Sequence, residues 1–137
     1  MRGAWKTAIV VLALGLGGAT ANAQPAGTPA GAPITVTVAL SNFAFTPELL
    51  RLQANVPVRL HLVNQASGGH DFSAPGFFAA SVYPVGEPVP SRGEVELAGG
   101  ESVDILLTPR TPGRYALTCT HFLHSLFGMH GTIEVVP

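Results

Sequence analysis

The 137-residue sequence is short of charge, of cysteine and of helical periodicity, and each shortage excludes something. Only 11% of its residues are charged, while 47% are hydrophobic. A disordered chain needs the opposite balance, and at this length one domain with one core is expected. Lysine occurs once, at position 6, and the whole chain carries a net charge of −1. No stripe of Lys and Arg is available to neutralise phosphates, which argues against nucleic acid as a partner. One cysteine, Cys119, excludes an intramolecular disulfide. In an exported protein an odd thiol is a reactive or ligating group; in a core it is a small, inert hydrophobe. No internal repeat is visible.

Residues 1–23 have the form of a secretory signal. Arg2 and Lys6 precede an apolar run over residues 7–16, and Ala21-Asn22-Ala23 is a small-x-small cleavage site. The run is short for a bilayer span and is broken by Gly15, Gly17 and Gly18. Cleavage is therefore expected, leaving no membrane span and a periplasmic protein beginning at Gln24. That mature chain contains no lysine and sets five arginines against eight acidic residues, a net charge of −3. Residues 24–33 form a flexible Pro/Gly/Ala lead-in, and residues 34–137 form the folded domain.

From Ile34 onward the apolar period is two. Ile34, Val36, Val38 and Leu40 share one face, as do Leu50 with Leu52, Val58 with Leu60 and Leu62, and Val103 with Ile105 and Leu107. His61 falls between inward positions and reads as a surface residue. Tyr115, Leu117 and Cys119 share a face, and Ile133 and Val135 form a closing strand. Residues 72–92 have no clean period and contain Pro75, Pro84, Pro88 and Pro90, too many for a central strand. They read as a surface excursion with one helical turn near 77–81. The expected architecture is an all-β antiparallel sandwich of about seven to eight short strands.

The chemistry concentrates near the C-terminus, in Tyr115-Ala-Leu-Thr-Cys119-Thr-His121-Phe-Leu-His124-Ser-Leu-Phe-Gly-Met129-His130-Gly. Thiolate, imidazole and thioether are the donors that suit copper in both oxidation states. Cys119, His124 and Met129 follow one another at Cys-x₄-His-x₄-Met, so one loop can wrap three donors round an ion. His70, after the Gly/Ser-rich stretch 65–69, supplies a second imidazole. His121 is a rival to His124, and His130 a rival to Met129. Zinc fits these donors less well, because of the methionine.

The pattern Gly-Gly-His70-Asp-Phe, then Pro-Gly-Arg-Tyr115-x₃-Cys119-x₄-His124-x₃-Gly-Met129-x-Gly-Thr-Ile-x-Val, resembles the cupredoxin family of blue copper proteins, including plastocyanin and azurin. The resemblance covers residues 34–137. It implies a Greek-key sandwich holding one Cu(I)/Cu(II) ion, with His70, Cys119 and His124 as equatorial ligands and Met129 as the axial one. Asp71 departs from it: Asn is frequent there. The carboxylate can accept from the Thr120 hydroxyl, and its charge beside the site favours Cu(II).

The function expected is that of a monomeric one-electron carrier, not an enzyme. Redox proteins would dock at an apolar patch near His124 and Phe122; Phe77, Phe78, Leu123, Leu126 and Phe127 either join that patch or close the core. A copper chaperone or resistance factor is the alternative. An oxidase or reductase needs further copper centres or an open coordination position, and one cysteine in one small domain leaves no room for a second cluster.

Overall fold

The fold is described from a computed structural model for residues 31–121 and 127–137. The signal reading of residues 1–23 and most of the lead-in lie outside the described residues, as do Phe122, Leu123, His124 and Leu126. Ten strands form two five-stranded sheets.

In the first sheet β1 (Ile34–Ser41) lies between β2 (Ala44–Thr46) and β4 (Val58–Asn64), and β8 (Ser102–Pro109) and β6 (Ser81–Val82) continue it. In the second, β3 (Leu49–Gln53) is followed by β10 (His130–Val136), β9 (Gly113–Thr118), β5 (His70–Ser73) and β7 (Glu94–Leu97). The all-β sandwich stands. Its pairings are mixed: β1 runs parallel to β4 and β10 parallel to β3, while the others are antiparallel.

The period-two pattern fixes the inner faces. Val38, Leu40, Leu60, Leu62, Ile105 and Leu107 face in from the first sheet, against Leu50, Leu52, Phe72, Leu97, Leu117 and Ile133 from the second. Each such side chain contributes roughly 1.5–3 kcal/mol by leaving water. A one-residue slip would turn every one of them outward, so the register is strongly specified. His61 sits on the outer face of β4, and Asp104 Oδ1 hydrogen-bonds its Nδ1.

The segment 72–92 corrects the surface-excursion expectation. Phe72 and Ser73 belong to β5 and are buried, with Phe72 fully so. A short helix, α1 (Pro75–Ala79), begins two residues earlier than expected, with Pro at its start, where the missing N–H costs nothing. One helical turn brings adjacent Phe77 and Phe78 inward together, to 1% and 4% exposure, which an alternating strand cannot do. Phe72 and Phe78 meet edge to face with ring centroids 5.9 Å apart. Residues 84–92 do lie on the surface, with Val85 and Val89 exposed. No helix among the described residues is long and apolar enough to cross a membrane.

Candidate metal centre

The centre lies at one end of the second sheet, where β5 starts and β9 stops. His70 is the first residue of β5, in phase with Phe72, so its ring faces the core. It arrives there because the preceding loop is tied down. The buried Asn64 amide donates to the carbonyls of Gly68, Leu97 and Ala98 and accepts from the Ala66 N–H. Gly99 permits the loop's close approach, since a Cβ there would lie 2.1 Å from the Ser67 carbonyl oxygen. Sequence reasoning missed Asn64. Its signal was an Asn at a strand end before a Gly/Ser-rich stretch, the setting in which an Asx turn forms.

Cys119 follows the last residue of β9 and keeps that strand's inward register. Its sulfur is fully buried, with His70 Nδ1 3.8 Å away. Burial pushes the Cys119 thiol above its ordinary 9.0. Hydrogen bonds from the main chain of Asp71 and His121 pull it back in part, and the carboxylates of Asp71 and Glu96 push it further up. Met129 is also fully buried, and its carbonyl accepts the Cys119 N–H at 3.2 Å. His130, the next residue, opens β10 and is exposed. The alternation of the strand thus points Met129, rather than His130, into the core.

Asp71 alternates with His70 along β5, yet it too is buried. The Thr120 N–H donates to both carboxylate oxygens, at 2.8 and 3.1 Å, and the Thr120 hydroxyl donates to Oδ2. The carboxylate thus accepts from Thr120 as the sequence led one to expect, and it ties the strand carrying His70 to the strand carrying Cys119.

His121 does not continue the strand register into the core. Its Nε2 lies 2.8 and 3.0 Å from the two oxygens of Glu96 on β7, and its side chain is 34% exposed. Asp71, Glu96 and His121 each offer one donor atom within 4.8 Å of the others. Glu96 had no role in the sequence reading; twenty-five residues separate it from His121, and only the fold brings them together.

The donor geometry fits a metal. A first-row ion bonded at about 2.0 Å to imidazole and about 2.3 Å to thiolate, at a trigonal angle of about 120°, separates the two donor atoms by about 3.7 Å. The observed 3.8 Å needs almost no rearrangement. Soft sulfur beside borderline nitrogen is the donor set of copper. His70, Cys119 and Met129 are thus buried at one end of the core; His121 stands beside them at the sheet edge, its ring centroid 6.4 Å from that of His70, His130 is exposed, and His124 lies outside the described residues.

Known proteins agree with this architecture. The chain matches the cupredoxin-like domain family over residues 7–135. It is 33% identical over 122 residues to auracyanin-B of Chloroflexus aurantiacus, covering 76% of this chain and 52% of that protein. The chain therefore spans about half the length of that curated relative. A solved auracyanin B structure is similar at 30% identity with a TM-score of 0.57, over 75% of this chain and 88% of that one. Auracyanin A, described as a "blue" copper protein from Chloroflexus aurantiacus, shares the fold at 18% identity and a TM-score of 0.56, over 77% of this chain and all of that one. With nearly its whole length matched, this chain belongs to the cupredoxin-like family.

Proposed function

We propose that this protein is a periplasmic one-electron carrier with a single type 1 copper ion held by His70, Cys119, His124 and Met129. The observation that carries the reading is the separation of 3.8 Å between His70 Nδ1 and Cys119 Sγ, two donors buried side by side. Bound there, copper supplies the Cu(II)/Cu(I) couple.

The protein's part is to hold the donors still. His70 opens β5 and Cys119 follows β9, the Asp71–Thr120 bonds clasp the two segments together, and the main-chain bond from Cys119 to Met129 holds the Met129 backbone beside the thiol. A site that moves little between oxidation states exchanges an electron quickly, and hydrogen bonds to the sulfur tune its potential. The main-chain bonds from Asp71 and His121 are of that kind. Assigning His124 as the second imidazole is supported by the engagement of His121 with Glu96.

Electron transfer also needs an approach for a partner. Phe127 is 63% exposed and Phe43 44% exposed, with ring centroids 5.1 Å apart. Such an apolar pair beside the ligand loop suits docking with a redox protein near His124 and Phe122, whereas Phe77 and Phe78 serve the core. The burial of Cys119 and His70 favours a carrier over a copper-handling protein, which has to release its cargo. Export to the periplasm rests on the signal-like residues 1–23, and a monomer is the state proposed.

The test is to express the chain from Gln24, add Cu(II), and record visible and EPR spectra beside a Cys119→Ala control. An intense thiolate-to-copper band with narrow hyperfine splitting, both lost in the control, is expected. Pale, ordinary Cu(II) spectra indifferent to Cys119 would overturn the reading and leave copper handling in its place.

A further inference from the structure

We propose that Glu96 keeps one histidine out of the copper site: its carboxylate holds the His121 imidazole off the ion. This rests on the copper reading above and deepens it. His121 is the nearer imidazole to Cys119 in sequence, and its ring centroid is only 6.4 Å from that of His70. Nothing in its chemistry distinguishes it from a ligand. Its hydrogen bonds do.

Both Glu96 oxygens engage Nε2, the nitrogen farthest from the main chain. The ring is thereby drawn towards β7 at the sheet edge, where it is one-third exposed, whereas His70 is 1% exposed. Glu96 is held in place by its strand, directly opposite Asp71 in the β5/β7 register. Asp71 does not compete for the imidazole, since Thr120 donates to both its oxygens. The pair also lies over Gly69: a Cβ there would come 3.2 Å from Glu96 Oε1 and 3.3 Å from His121 Cε1. Glu96 acts through His121, so it is a positioning residue that sets the specificity of the donor set.

The opposite arrangement is chemically reasonable and gives the test its edge. A carboxylate bonded to one imidazole nitrogen can orient the other nitrogen towards a metal, in which case His121 would itself be a ligand. Copper-loaded wild type, E96A, H121F and the double variant E96A/H121F separate the two, read by visible absorption, EPR and reduction potential. With a lock, H121F keeps the wild-type band and hyperfine splitting. E96A displaces the band or loses it, with wider splitting, because the released imidazole enters the copper sphere; the double variant recovers the wild-type spectrum.

Loss of a negative charge alone would raise the potential and leave the spectrum in place, so an E96A protein with an unchanged spectrum overturns the proposal. So does an H121F protein that has lost its band. E96Q, which keeps the shape of Glu96, repeats the test with a smaller displacement should E96A melt too early. A wild type without any thiolate band overturns the copper reading itself, and this inference with it.

Discussion

Two histidines, His61 and His70, sit nine residues apart in the same sandwich and live in opposite environments. His61 lies between the inward-facing Leu60 and Leu62, so the pleat turns it outward. Its cross-strand partner is Asp104, which binds its ring, with Arg59 alongside on the same carboxylate. The Asp104 carboxyl is held below its usual range chiefly by the hydrogen bond from His61. His70 is in phase with Phe72, faces inward, has Leu97 as its cross-strand partner, and meets a thiol instead of a carboxylate. Residue type alone does not make a candidate ligand; parity along the strand and the identity of the neighbour do.

The largest way to break the comparison is to remove the thiol. Cys119→Ser is expected to abolish the thiolate-to-copper band completely, with His70→Ala close behind, while His61→Ala leaves the copper spectrum unaltered; absorption titration with Cu(II) reads all three. Next comes the core behind His70. Phe72→Ala removes a fully buried ring and is expected to cost about 3–5 kcal/mol in denaturant unfolding of the metal-free protein.

Asp71→Ala sharpens the comparison from the other side of β5. It strands the Thr120 donors and should cost about 1.5–3 kcal/mol, together with a shift in copper potential. Urea unfolding and voltammetry would measure these. Asp71→Asn, which keeps an acceptor, should recover most of the stability.

A smaller effect belongs to Tyr83. Burial raises its pKa from 10.0 to about 12, and its hydroxyl donates to the Phe78 carbonyl. The unfolded chain loses that proton first, so folding stability is expected to be flat below about pH 10 and to fall as the pH rises towards about 12. Tyr83→Phe should remove that part of the alkaline decline in thermal melts. The smallest effect is His61→Gln, for which an unchanged melting temperature is expected, because the Asp104 pair lies at the surface.

Much of the second sheet's inner face could be read from the sequence because alternation is local. Leu50 with Leu52, Leu117 with Cys119, and Ile133 with Val135 announce their face within a few residues. Cys119 was legible for the same reason, as the one cysteine at the end of a periodic run, whereas His70 stood out by following a Gly/Ser-rich loop. Pairing partners are a different matter. The parallel neighbours β1 with β4 and β3 with β10 depend on how strands cross over, which periodicity does not encode. The α1 turn was blurred by two adjacent aromatics that only a helix can bury together. The Glu96–His121 contact was invisible, since His121 stood out only as a rival ligand and Glu96 gains a role only when β7 is laid against β5.

The hydrogen bond from the Cys119 N–H to the Met129 carbonyl has a consequence for how this protein can be re-engineered. It joins the exit of β9 to the threshold of β10, so the distance between thiol and thioether backbones is inherited from the antiparallel ladder those strands share. Should both sulfurs be ligands, as proposed above, their backbones are spaced by the sheet and not by the residues between them, and substitutions in that stretch are expected to leave the Cys119–Met129 backbone spacing in place.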